Sequence, residues 1–329
     1  MAVIRPWGNV NWLMPRIGAR EWSSACCTSF EPRCTAVSEW VSSNIRGGKH
    51  FVLRIDDPPN RFTDEIRTRT DYHQGKIFSA LGKDVHLHIS GLLDSPSLIH
   101  QFVRELDLVS GSLVLDITAM PKRFFLFIVS RLLASKNLRD LVICYTRAEG
   151  YKEGLLTEDA EPPSALPGFA RVSSDGGDTT MVVSVGYMAF NLTDLLEQAR
   201  GRQLKFLFPF PPGSPGFRRN WDLLRKLIPN ISIQTDIQRI HAIDMFAAME
   251  WIDGLARDSS APIDMIPLGP KPHALAMALA ARKIGDNAEL LYSQPRVYHP
   301  DYSHGIYMDQ AGKAEVVAYC LRREYIDYV

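Results

Sequence analysis

Two stretches decide how this chain folds: LDITAMPKRFFLFI (residues 115–128) and DMIPLGPKPHALAM (264–277). Each begins as a short apolar strand, passes through a turn containing Pro and Lys, and enters an apolar helix. Proline suits the first turn of a helix because its φ is preset and its missing N–H would have no partner there. The two stretches stand about 150 residues apart, the usual size of one domain. The spacing predicts that the chain contains the same unit twice.

Reading outward, the first half alternates strands and helices. WSSACCTSF (22–30) reads as a buried strand, Cys34 to Asn44 as a helix with Val37, Trp40 and Val41 on one face, and HFVLRI (50–55) as a strand stopped by Asp56-Asp57-Pro58-Pro59. Residues 64–81 read as a helix capped at Gly82, VHLHIS (85–90) as an alternating strand, and Ser95-Pro96 as the start of a helix reaching Leu106. SLVLDIT (112–118), the helix over 122–136 and LVICYT (141–146) complete the half.

The second half repeats the pattern. Strands are predicted at 180–187, 203–210, 231–236, 263–269 and 288–295, and helices at 192–200, 217–228, 242–256 and 272–283, with a last helix over 313–329. The punctuation matches as well as the pattern. Both second strands end in a double proline, Pro58-Pro59 and Pro211-Pro212, and both fifth strands carry a tyrosine and then an arginine. Alternating strands and helices build a parallel sheet with helices on both faces. The expected fold is therefore α/β: two tandem Rossmann-like domains from an internal duplication. Their expected bounds are 1–155 and 179–329, joined by a Pro-, Gly- and acid-rich linker at 156–178, with a ligand groove between the strand ends of the two halves.

Composition narrows the function. The 329 residues include 37 basic and 37 acidic side chains, so the formal net charge is zero. A protein that coats nucleic acid needs a basic surplus, and neutrality disfavours a long polyanion as partner while allowing a local cationic pocket. Five cysteines at irregular spacing suit a reducing compartment. The N-terminus has no continuous apolar core, and the longest apolar run, Phe124 to Val129, is far too short to span a membrane. A cytoplasmic protein without a membrane partner is expected. P-loop, G-x-S-x-G, HExxH and G-x-G-x-x-G motifs are all missing, so no cofactor or metal is expected.

The chemistry concentrates in the two fourth-strand turns. One reading makes Lys122 and Lys271 phosphate ligands at helix N-termini, with Arg123, Asp116, Thr118, Gly269 and His273 as neighbours. The other makes the lysines solvated first-turn residues, with Asp116 or Thr118 as caps. At these turns the chain resembles CARF domains, Rossmann-like nucleotide sensors that typically carry an Asp-x-Thr-x-Gly-x-Lys kind of turn after the fourth strand. It also resembles the SAVED domain, which looks like two such units fused in one chain. LDITAMPK keeps Asp116, Thr118 and Lys122 but lacks the glycine, and PLGPK keeps Gly269 and Lys271 but lacks the Asp and Thr. The architecture matches over nearly the whole chain, the motif over a few residues. The resemblance implies a cyclic-oligonucleotide ligand, a separate effector or complex subunit as partner, and a role in anti-phage defence.

Further candidates follow from position. Glu31 and Arg33, just after the first strand, suit a ribose hydroxyl or base amine and a phosphate, or else form a surface ion pair. The loop after the last matched strand holds Tyr292, Arg296 and Tyr298, stacking faces and a guanidinium suited to a nucleobase and phosphate, or a cover for a core edge. Tyr145, Arg147 and Tyr151 are the thinner counterpart. His86 and His88 share a strand face, and Asp56-Asp57 forms either a turn or a weak cation site. The leading expectation is a sensor that binds a phosphorylated nucleotide-type ligand. The alternatives are an enzyme on a nucleotide or nucleotide sugar, with Glu31 or His273 as acid–base, and a structural subunit of a complex.

Overall fold

The computed structural model describes residues 5–18, 21–109, 111–171, 179–186, 202–210, 221–222, 224–226, 228 and 236–329. The chain forms two compact units. The first takes Met1–Lys152, Leu156–Glu158 and Arg296–Val329, and the second takes Glu153–Leu155 and Asp159–Pro295.

The first unit runs β1 (Trp7–Asn9), α1 (Val10–Ile17), β2 (Trp22–Thr28), α2 (Ala36–Asn44), β3 (His50–Asp56), α3 (Thr63–Leu81), β4 (Val85–Gly91), α4 (His100–Asp107), β5 (Gly111–Asp116), α5 (Lys122–Ala134), β6 (Leu138–Thr146) and the short β7 (Gly150–Tyr151). Strands β2 to β6 are parallel, in the order β4-β3-β2-β5-β6. The order reverses between β2 and β5, which is where open sheets of this kind part to admit a ligand. All seven residues of β2 are buried, which its small Ser, Ala and Cys side chains allow at the centre of the sheet. Neighbouring residues of a strand face opposite ways, so Val52 packs with Ile77 of α3 while Phe51 meets Phe102 of α4 edge-on at 6.5 Å. Leu13 and Ile17 of α1 and Val37 and Val41 of α2 share a core cluster with Val114, Val142 and Cys144. As expected, α3 stops at Gly82, whose φ of +89° suits glycine.

The C-terminal helix expected over 313–329 is not formed. Instead β17 (Val316–Arg323) lies antiparallel beside β6, with Val317 opposite Tyr145 and Cys320 opposite Val142, and β1 pairs along its other side. Val316, Val317 and Tyr319 favour a pleated, packed surface. Because the strand is buried on both faces it lacks the alternation that marks a half-buried strand, and the sequence imitates an apolar helix. This return also corrects the expected second-domain range of 179–329, since residues 296–329 complete the first unit. A two-residue turn, Glu324-Tyr325 with φ of +51° and +66°, leads into β18 (Ile326–Asp327).

Arg322, on β17, is buried and caps the end of α5. Its Nη1 donates to the carbonyls of Ser135 (2.6 Å), Leu138 (3.3 Å) and Leu132 (3.5 Å), and its Nη2 to that of Leu133 (2.7 Å). Nε and Nη2 also reach Asp327, at 2.5 and 3.2 Å. The guanidinium thus satisfies carbonyls that a helix end leaves without partners and offsets the negative end of its dipole.

The second unit comprises β9 (Ser164–Ala165), β10 (Thr180–Ser184), β11 (Gln203–Phe210), β12 (Ile237–His241), α6 (Met245–Asp258), β13 (Ile263–Pro267), α7 (Lys271–Ile284) and β14 (Ala288–Tyr292). Five parallel strands stand in the order β12-β11-β10-β13-β14, the same order as in the first unit, and β9 adds an antiparallel edge. Two α/β units with one strand order are what a duplicated Rossmann-like domain produces. The stretch 156–178, expected to be a linker, carries structure where it is described. It supplies β8 (Thr157–Ala160) and β9, and it buries Leu166 and Phe169, with the Leu166 N–H on the Leu290 carbonyl at 2.9 Å. The helix at 192–200, the Pro211-Pro212 turn and nearly all of the strand at 231–236 lie outside the described residues. Among the described residues no helix is long and apolar enough to cross a membrane.

Replacing Arg322 with Met would keep the volume and leave buried carbonyls unpaired. Arg322→Met is expected to lower stability to urea by about 3–5 kcal/mol, measured by far-ultraviolet circular dichroism.

Candidate functional site

The fourth-strand turns occupy equivalent places in the two units. In the first, Pro121 precedes Lys122, the first residue of α5, and its carbonyl accepts from the N–H groups of Phe124 (3.0 Å) and Phe125 (3.1 Å). In the second, Pro270 precedes Lys271, the first residue of α7, and accepts from the Ala274 N–H at 3.0 Å. Neither helix has a side-chain hydrogen bond at its N-cap, because a proline stands there. Both helices are long enough to present a positive dipole end, and each carries a half-buried lysine on it, with Arg123 next in the first.

The rest of each turn is built differently. Asp116 and Thr118 are buried: Asp116 Oδ1 accepts from the Thr118 N–H (2.9 Å) and from its hydroxyl. Thr118 Oγ1 in turn accepts from the Thr146 N–H at 2.9 Å, tying the turn to the end of β6. Gly269 meets its neighbours without room for a side chain. A Cβ there would lie 1.9 Å from Ser184 Oγ, and one on Gly186 would lie 2.0 Å from the Leu268 carbonyl oxygen. The ends of β10 and β13 therefore touch backbone to backbone. Gly186→Ala is expected to destabilise the protein by about 3 kcal/mol, read as a drop in thermal midpoint.

His273 is fully buried, and its Nε2 lies 3.1 Å from the His241 carbonyl at the end of β12. It joins α7 to that strand.

Glu31 and Arg33 do form an ion pair, but an interior one, at 6% and 3% exposure. Arg33 Nη2 and Nε donate to Glu31 Oε2 at 2.8 and 3.0 Å, and Nη1 donates to the Tyr145 hydroxyl and the Thr146 carbonyl, each at 3.3 Å. The hydroxyl of Ser303, on β16 (Ser303–His304), donates to the same Glu31 oxygen. Burial alone would lower the Arg33 pKa, but Glu31 and then Tyr151, Tyr145 and Tyr302 raise it, so the guanidinium stays charged. Its carbon lies over the rings of Tyr145 (5.7 Å) and Tyr151 (6.0 Å). The pair clamps the C-terminal return onto the end of the first strand. Sequence reading missed Ser303 and Tyr302 as its partners; some 272 positions separate Ser303 from Glu31, and no local signal links them.

The aromatic loop is divided. Tyr292 ends β14 in the second unit, whereas Arg296 and Tyr298, on β15 (Pro295–Tyr298), belong to the first. Arg296 is exposed. Tyr298 leans on Tyr302 at 6.1 Å, and Tyr302 meets Tyr151 edge-on at 6.1 Å, so these rings pack with one another, and Tyr151 in turn faces Arg33. Arg147 pairs with Glu315 at 2.6 Å and stacks over Tyr307 at 4.2 Å.

The weaker candidates have structural partners. His88 bonds to Glu105 at 3.0 Å, a carboxylate brought by α4, and His86 stacks on Phe51 at 5.2 Å. Among the described residues no group of three His, Cys, Asp or Glu side chains could hold a metal ion. All five cysteines are buried thiols, and burial followed by the nearby Asp116 charge pushes Cys26 up to about 12. Such thiols are inert nucleophiles at neutral pH.

Asp57, at the carboxyl end of β3, differs from the rest. Burial, then the charge of Asp56, pushes its carboxyl up to about 7, and its Oδ2 is buried without a hydrogen-bond partner. The fold prefers the protonated form. The stability this group contributes is therefore complete below the ordinary aspartate value of about 4 and is lost as the pH rises through about 7. Asp57→Asn should be more stable than the wild type by about 2–4 kcal/mol at pH 8 and equal to it below pH 4, measured by urea unfolding at both values.

No family model and no curated protein matches the chain. Among solved structures, phosphoethanolamine N-methyltransferase 1 of Haemonchus contortus, in complex with phosphoethanolamine and S-adenosylhomocysteine, is similar at 7% identity and a TM-score of 0.21. The match covers 84% of this chain and 64% of that one, so the chain spans less than two thirds of the structure it resembles. At that score the likeness says nothing about activity.

Proposed function

We propose that this protein is a cytoplasmic sensor. It binds a phosphorylated nucleotide-type ligand of the cyclic-oligonucleotide class and passes its occupancy to a separate effector or complex subunit, in the manner of anti-phage systems. One observation carries the reading. Lys122 and Lys271 each stand at the first residue of the helix after the fourth strand, in two units of the same strand order. A helix N-terminus next to a lysine, beside the point where strand order reverses, suits a phosphate in each unit. The resemblance to CARF and SAVED domains rests on these same turns.

Binding is favoured over turnover. Glu31 and His273, the acid–base candidates of the enzymatic reading, are buried and bonded to Arg33 and Ser303 and to the His241 carbonyl. A ligand then acts by its different affinity for two conformations of the protein. Thermal shift against mononucleotides, cyclic dinucleotides and cyclic oligonucleotides tests this. The expected result is stabilisation by a cyclic species that chromatography recovers intact. Lys122→Ala and Lys271→Ala should each weaken binding about tenfold or more, the worth of one charged hydrogen bond. No shift with any nucleotide would overturn the sensor reading, and a degraded ligand would replace it with the enzymatic one.

A further inference from the structure

We propose that the outer edge of β4 pairs with the same strand of a second copy of this chain, joining two sheets into one across a twofold axis. β4 ends the sheet of the first unit, and among the described residues no strand lies beyond it. Native proteins usually protect such edges by shortness, charge, proline or a bulge. The other edges follow that rule: β1 has three residues, β9 has two, and β12 has five with an exposed Arg239. β4 has seven residues, VHLHISG, with no formal charge and no proline, in unbroken register with β3 from His50 opposite Val85 to Asp56 opposite Gly91.

The Leu92 N–H bonds to the Asp56 carbonyl at 2.8 Å, so the even-numbered residues of β4 turn their backbone groups towards β3. Val85, Leu87 and Ile89 therefore turn theirs outward, since successive residues of a strand alternate. The same three side chains lie on one face, and Leu87 and Ile89 are 37% and 63% exposed. The Gly91 N–H is already taken by Asp94 at 2.6 Å, which confines pairing to Val85–Ile89 and centres it on Leu87.

The occupant follows from this pattern. An antiparallel copy centred on Leu87 places Leu87 against Leu87 and Val85 against Ile89. Each opposed pair matches outward donors with outward acceptors, apolar side chains meet apolar ones, and no like charges meet. The edge is its own complement, which a twofold contact between identical chains requires. His86 and His88, on the other face, are held by Phe51 and Glu105 and take no part.

Sedimentation equilibrium of the full chain up to about 100 µM should show a monomer–dimer equilibrium, the weak range that a small interface occupies. Ile89→Pro removes an N–H that faces outward and leaves the bonds to β3 intact. It should raise the dimer dissociation constant at least about tenfold with an unchanged circular dichroism spectrum. Leu87→Lys sets two like charges on the axis and should do the same, and it decides the matter if the proline variant misfolds. A chain that stays monomeric throughout, or a dimer that folded Ile89→Pro or Leu87→Lys leaves unaltered, would overturn the proposal.

Discussion

Arg322 carries a positive charge into the interior of the first unit, and the chain around it is arranged to receive that charge. Its guanidinium bonds to carbonyls at and beyond the end of α5 and to Asp327 of the final hairpin. The helix whose negative end it closes is the one whose positive end bears Lys122 and Arg123. An anion at Lys122 and a cation at Arg322 would thus act on opposite ends of one dipole with the same sign of effect. Asp140 supports the arrangement, taking the Ser112 hydroxyl at 2.6 Å and the Glu324 N–H at 2.9 Å.

The same C-terminal return that delivers Arg322 also delivers Ser303 and Tyr302 to the Glu31–Arg33 pair. A buried ion pair contributes little net stability when compared with apolar residues, but it is costly to leave half made. Here the returning chain adds the Ser303 hydroxyl to a Glu31 oxygen that Arg33 already bonds. The first unit therefore depends on residues separated from its core by the whole of the second.

The two units solve one local problem in two ways. Each must join its fourth strand to a helix while fixing the turn against a neighbouring strand end. The first unit pins its turn with Asp116 and Thr118, which bond to one another and to the end of the fifth strand, β6. The second does so with Gly186 and Gly269, which let backbones touch. What both retain is a proline followed by a lysine at the helix start, the feature on which the proposed ligand site rests.

Local punctuation reads truly at several element ends, though the Pro- and Gly-rich stretch 156–178 carries structure where it is described and is no simple linker. Gly82 ends α3 because it alone relieves a positive φ there, QLKFLFPF forms a strand over its whole length, and the helices at Lys122 and Lys271 begin where the prolines place them. The repetition of the α/β unit was legible for the same reason, since both halves carry the same stops at the same spacing. The C-terminal strand was not, because Val316 to Leu321 are buried on both faces and their apolar run has no period of two. Nor could Glu31 and Arg33 be told from surface residues, since their burial depends on Tyr145 and Ser303, which only folding brings near. The sequence by itself determined the two α/β units and their fourth-strand turns, because backbone stereochemistry and helix capping act over a few residues. The tertiary structure alone decided which charges are buried and where the last strand pairs, because burial and β-pairing are made by residues hundreds of positions apart.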